Sequence, residues 1–172
     1  MECARPRNLR RRLASLLCLL ALVLPVTGCH HRSKTYAVPE VQRAFAKARL
    51  PLKTVATGRR EINRQLRPNS CALDDADAAR QAIGHVKAIL RAKPKRDSIG
   101  GMVVISAYLF DSAADAKRIN EVGYFRCLYM KSPRVFNESG DEGNLLVVGV
   151  SSNNNGTTGA AFERLSAALG WH

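Results

Sequence analysis

The chain has five cysteines, and their positions divide them by the chemistry each could do. Cys3 and Cys18 sit in an N-terminal stretch that is first basic and then aliphatic, Cys29 closes that stretch, and Cys71 and Cys127 fall in the remainder. In an oxidising compartment an even number of thiols reads as a disulfide framework. A Cys71–Cys127 bridge is therefore expected, and closing so long a loop stabilises by about 4 kcal/mol in chain-entropy terms. Two buried thiols are the alternative, because nothing in the sequence brings the two together. His85 could act as a general base, but spacing assigns it neither a carboxylate nor a hydroxyl. Asp74, Asp75 and Asp77 could hold a cation, yet they stand at an expected helix start, where the helix dipole already favours acids. His30-His31 lacks a third metal ligand other than Cys29. The stretch Ser151–Gly159 lies between an expected strand and an expected helix, where backbone amides can cradle an anion. It carries no lysine of the P-loop kind and reads as an Asn/Gly turn. His-Glu-x-x-His, Cys-x-x-Cys and Gly-x-Ser-x-Gly are absent, so no catalytic residue, metal or cofactor is expected.

Cys29 has the clearest context. Arg5, Arg7, Arg10, Arg11 and Arg12 precede the aliphatic run Leu13–Leu24, the positive-then-apolar order of an export signal. The run is too short to cross a bilayer, which takes about 20 apolar residues. Val26-Thr27-Gly28-Cys29 follows and resembles the bacterial lipobox. A thiol there accepts a diacylglyceryl group, and the small residues before it let the cleavable backbone lie extended in a narrow protease groove. Residues 1–28 are accordingly expected to be a lipoprotein signal peptide and 29–35 a polar tether, with lipid on Cys29 holding the protein at the extracytoplasmic face of a membrane. An ordinary secretory signal cut nearby is the alternative. Arg10-Arg11 leaves the choice between general and twin-arginine export open. In a bacterial protein the sequons at Asn137 and Asn155 carry little meaning.

Of 172 residues, 144 remain after the leader, enough for one compact domain over 36–172 with a sizeable core. The leader's five arginines and Glu2 contribute +4 of the formal charge of +13, which leaves +9 on the rest. Such a charge favours anionic lipid, wall polymer or nucleic acid, and an exported chain rarely meets nucleic acid. The basic residues concentrate in two segments, Arg59, Arg60, Arg64 and Arg67, then Lys93, Lys95 and Arg96, which form the candidate binding patch.

The elements that must position these groups follow from periodicity. A helix starts near Tyr36, with Pro39 in its first turn and Val38, Val41, Phe45 and Ala48 on one face; Leu50-Pro51 ends it and Leu52–Ala56 is a strand. Thr57–Ser70 reads as a mobile basic loop, and Asp74–Ala92 as a long helix closed by Lys93–Arg96. Met102–Phe110 is the strongest strand and should be central. Ser112 and Asp115 fit a capping box opening a helix that Gly123 stops. Tyr124–Met130 alternates as a strand, Glu138–Gly143 is a loop, Leu145–Val150 is a buried strand, and Thr158–Leu169 is the last helix. The expected fold is α+β, a mainly antiparallel sheet of about four strands packed against three to four helices.

Tyr36-x-Val38-x-x-Val41-x-x-Ala44-Phe45, then Leu50-Pro51-Leu52, and later Val103–Phe110 entering Asp111-Ser-Ala, resemble small uncharacterised lipoproteins of actinobacteria. The resemblance implies an envelope location and this architecture, and no activity. The function expected is that of a non-catalytic envelope module binding a protein partner or an anionic surface. A small envelope enzyme or ligand-binding protein with a pocket near Ser151–Gly159 is the alternative.

Overall fold

The computed structural model describes residues 34–66, 76–96, 102–125, 135–151 and 158–171. Among them the order is α1 (Val38–Lys47), β1 (Leu52–Ala56), α2 (Arg59–Gln65), α3 (Ala76–Gly84), β2 (Val86–Ala92), β3 (Lys95–Arg96), β4 (Met102–Phe110), α4 (Ala113–Glu121), β5 (Val135–Glu142), β6 (Leu145–Ser151) and α5 (Thr158–Leu169). The strands form one sheet in the order β1-β2-β4-β6-β5, with β3 pairing the start of β4. All these pairings are antiparallel.

The sheet is buried on both faces. From Val103 to Phe110 every residue of β4 is buried, as is all of β6. Because side chains alternate along a strand, two cores result. Val103, Ile105, Ala107 and Leu109 join Val147, Phe45 and Leu165 beneath α1 and α5. Val104, Tyr108 and Phe110 join Leu146, Ile62, Ala82 and Ile119 beneath α2, α3 and α4. β4 lies in the middle of the sheet, as its β-branched and aromatic run predicts.

Local signals explain the ends of the helices. α1 carries proline at its start and buries Val41, Ala44 and Phe45. It ends in a Schellman turn: Leu50 N donates to Phe45 O at 2.9 Å and Arg49 N to Ala46 O at 3.0 Å, with Arg49 left-handed at φ 57°. α4 is capped by Ser112, whose Oγ accepts from Asp115 N at 3.1 Å, and Gly123 at φ 64° turns the chain after it. The segment before α1 is held by Asn144 in the β5–β6 turn, which accepts from Tyr36 N at 2.7 Å and donates to Tyr36 O at 3.2 Å. Lys34 Nζ donates to Leu169 O at 2.8 Å, and Trp171 Nε1 to Tyr36 Oη at 2.7 Å. Both ends of the described chain therefore meet beside the β5–β6 turn, at the end of the sheet where β4 finishes.

The structure corrects several expectations. The long helix over Asp74–Ala92 is two elements, α3 and then β2. Gly84 ends the helix, and Val86, Ala88, Ile89 and Leu90 bury themselves on alternate faces beside β4. An apolar run buried on both sides looks alike as helix or strand, and β4 decides it by pairing. The basic loop after β1 contains α2, anchored by Ile62, which is buried. Lys95 and Arg96 form β3, with no helix before them. Tyr124 and Phe125 are helical where a strand was expected to begin, and Tyr108 lies against Phe125 with ring centroids 4.3 Å apart. Most of Glu138–Gly143 is strand β5 and pairs with β6. The sheet thus has six strands instead of four, with five helices among the described residues. Cys29, Cys71 and Cys127 lie outside the described residues, as do the leader and nearly all of the tether.

Candidate anion-binding site

A cavity of about 220 Å³ opens where α1 ends, β3 crosses the start of β4, and α5 begins. Its floor is apolar, made by Leu50, Ala92, Val103, Ile105 and Ala161, and around it stand Lys93, Lys95, Arg96 and Arg164. No aspartate or glutamate is among the described residues lining it. The four cations are exposed, so their charges stay hydrated while their aliphatic stems can cover the floor.

Each wall has a local cause. The Schellman turn delivers Leu50, which is 7% exposed, to one side. Lys93 is fixed by its backbone, whose N–H donates to Pro51 O at 2.7 Å. Lys95 and Arg96 are set by pairing with Val103 and Met102. Arg164 Nε donates to Ala48 O at 3.3 Å, tying α5 to the end of α1. Ala160 and Arg164, four residues apart on α5, share the face that lines the cavity. The first turn of α5 holds no acidic residue, so the helix dipole adds positive potential at the same corner. A second cavity, about 360 Å³, is bordered by Gln42, Ala46, Arg49, Pro51 and Leu52 and shares Leu50 with the first.

Glu138 reaches the start of α5 from β5, its Oε1 lying 4.0 Å from where a Cβ on Gly159 would be. Gly149 leaves room for Ile105 Cδ1, Glu138 Cγ and Thr158 Cβ, which stand 3.3, 3.5 and 3.5 Å from where its Cβ would be. Glu138 Oε1 is buried there without a hydrogen-bond partner. Burial, and then the charge of Glu163, push the Glu138 carboxyl above its ordinary value. Gly159 and Glu163 share that face, one step round the helix from Ala160 and Arg164.

The basic segments expected to form one patch are separated. Lys93, Lys95 and Arg96 line the cavity on the α1/α5 side. Arg59, Arg60 and Arg64 belong to α2, which packs Ile62 into the opposite core. Arg59 Nη1 donates to Ile83 O at 3.4 Å and Arg64 pairs with Glu61 at 3.8 Å, so two of these three are engaged locally. Arg67 lies outside the described residues, as do 152–157 of the expected Ser151–Gly159 pocket. The described flanks of that stretch, Ser151 and Thr158, are buried. Arg164 escaped sequence reasoning, because an arginine on the polar side of a helix has no mark that separates it from a solvated one.

His85 also gains partners that spacing could not show. Its Nδ1 lies 3.0 Å from Asp115 Oδ2, and Ser112 Oγ donates to the same oxygen at 2.6 Å. Burial would raise the Asp115 carboxyl, but the hydrogen bonds of Ser112 and His85, with the charges of His85 and Arg118, hold it below its ordinary value. The hydroxyl serves the carboxylate and not the imidazole, so the three do not make a nucleophile triad. Neither cavity is lined by His85. Among the described residues there is no group of three potential metal ligands and no helix long and apolar enough to cross a membrane.

Comparison with protein-family models, with curated proteins and with solved structures gave no match, so function has to be argued from the residues themselves.

Proposed function

We propose that this chain is a lipid-anchored envelope protein, exported on residues 1–28 and held through Cys29, whose domain is a non-catalytic module that binds an anionic ligand. The observation that carries the binding half is the convergence of Lys93, Lys95, Arg96 and Arg164 on an apolar-floored cavity with no carboxylate among its described walls. A neutral ligand would gain nothing from those charges and a cationic one would be repelled, whereas an anion gains charge-assisted hydrogen bonds from them. The anchor half rests on Val26-Thr27-Gly28-Cys29 behind the basic and aliphatic leader. The resemblance to actinobacterial lipoproteins supports the same location, and a basic domain at an envelope surface has anionic polymer, lipid and protein partners within reach.

Two experiments test the two halves separately. Cys29→Ser should abolish acyl mass and detergent-phase partitioning; membrane retention by the variant, with no acyl mass on the wild type, would defeat the anchor. Binding to an anionic probe should weaken with salt and be lost in Lys95→Glu/Arg96→Glu, while charge reversal at Arg60 and Arg64 leaves it nearly unchanged. Binding that survives the first pair of reversals would defeat the cavity as the site.

A second reading, a small envelope enzyme, is favoured only by the His85–Asp115 contact. The contact from Nδ1 to Asp115 Oδ2 fixes the orientation of the ring, as a general base would require. Loss of a measurable hydrolytic activity in His85→Ala, with folding intact, would support that reading.

A further inference from the structure

We propose that the ligand is a single-stemmed amphiphile: a phosphate or carboxylate head held by Lys93, Lys95, Arg96 and Arg164, with a short alkyl stem lying against Leu50 and Ile105. This rests on the anion-binding reading and adds to it. A site for a bare anion has no use for an apolar floor, because an inorganic ion gains from donors and loses nothing by staying hydrated on its other side. Here the four cations are exposed, whereas Leu50, Ala92, Val103, Ile105 and Ala161 of the same lining are buried. Head and stem are thereby sorted by position.

Size limits the stem. The cavity of about 220 Å³ is smaller than the roughly 300–1,000 Å³ of sites for drug-sized ligands. A methylene fills nearly the volume of a water, about 30 Å³, so with the head outside at the rim no more than about seven carbons fit. A two-chain bilayer lipid, whose tails must span half of a roughly 30 Å hydrocarbon core, does not. Four cations around one opening favour a doubly charged phosphate monoester over a carboxylate, since the two guanidinium groups can each meet two oxygens.

The test is titration calorimetry on the full chain in nanodiscs of zwitterionic lipid, with empty nanodiscs subtracted. The probes are inorganic phosphate, butyl, hexyl and decyl phosphate, hexanol, and vesicles of phosphatidylglycerol. Hexyl phosphate should bind at least tenfold more tightly than either inorganic phosphate or hexanol. Affinity should rise about two- to fourfold per carbon and level off by about seven, the gain expected when each methylene leaves water. Ala160→Trp, at an exposed position on the cavity wall, should remove the gain from the stem and keep the weak binding of inorganic phosphate. Equal affinity for inorganic and hexyl phosphate would overturn the amphiphile and leave the anion-binding reading standing. Equal affinity for hexanol and hexyl phosphate would overturn both, as would no affinity for any probe. Binding of phosphatidylglycerol vesicles without hexyl phosphate would overturn the short stem and assign the cations to a bilayer surface.

Discussion

His85 Nδ1 lies 3.0 Å from Asp115 Oδ2, a contact between residues 30 apart that ties the turn before β2 to the first turn of α4. The Asp115 side chain is 14% exposed, and its Oδ2 also accepts from the Ser112 hydroxyl. Asp115→Ala should destabilise by about 1–2 kcal/mol through loss of these bonds. The pH dependence follows from the lowered carboxyl. A group whose folded pKa lies below its unfolded one contributes stability that is present above the unfolded value and lost as pH falls through the folded value. Wild type should therefore lose stability more steeply than Asp115→Asn below about pH 4. Urea unfolding across that range measures it, and parallel curves would show that the contact does not form.

Asn144 should be the most sensitive polar position. It is 5% exposed and links Tyr36 N and Tyr36 O with Phe110 O, the last at 3.1 Å. Asn144→Ala would leave three buried backbone groups without partners, at a cost of about 3 kcal/mol or more. Asn144→Asp should not rescue it, since a carboxylate cannot donate to the two carbonyls. Amide exchange at Tyr36 should accelerate to a rate close to that of free chain. Through this residue the backbone just before α1 is fastened to the sheet.

Arg49 occupies the left-handed turn that ends α1 and sets Leu50 in the cavity wall. An L side chain at φ 57° costs roughly 1 kcal/mol that glycine does not incur. Arg49→Gly should raise Tm by about 2–4 °C, and Arg49→Val should lower it. Neither should alter anion affinity by more than a few-fold, because Arg49 borders the neighbouring cavity and not the cationic one.

The Cys71–Cys127 bridge remains a proposal, and intact mass before and after reduction tests it. Protein isolated without reductant should show no free thiol at either position. Reduction should lower stability by about 2–4 kcal/mol. Two alkylatable thiols in the unreduced protein would dismiss the bridge.

The sequence made legible those elements whose signals are local. Pro39, Leu50-Pro51, Ser112 with Asp115, and Gly123 each mark an end within one turn, and α1, β1, β4 and α4 are found where such signals stand. It misled wherever tertiary pairing decides. Val86–Leu90 has apolar residues enough for a helix face, and only β4 beside it makes the stretch a strand. Glu138–Gly143 looks like a polar loop, yet β6 offers a free edge and takes most of it as β5. The site was half visible for the same reason. Lys93, Lys95 and Arg96 announce themselves as a cluster, whereas Arg164 joins them from 68 residues further along the chain, through the packing of α5 beside α1.

Glu138 supplies the converse of Asp115. Its Oε1 is enclosed without a partner, and burial and Glu163 raise its pKa. A raised folded pKa means that the carboxyl is most compatible with the fold when protonated. That contribution is full below the unfolded value and is lost as pH rises through the folded one. Glu138→Gln removes the charge and keeps the shape, so the variant should match wild type in acid and become the more stable protein near neutral pH, by less than about 1 kcal/mol. Because the Asp115 and Glu138 effects have opposite signs, both single variants should part from wild type as pH rises out of the acid range, Asp115→Asn as the less stable protein and Glu138→Gln as the more stable. A Glu138→Gln protein less stable than wild type at pH 7 would mean that the ionised carboxylate has a favourable partner at the start of α5, the dipole there outweighing its burial.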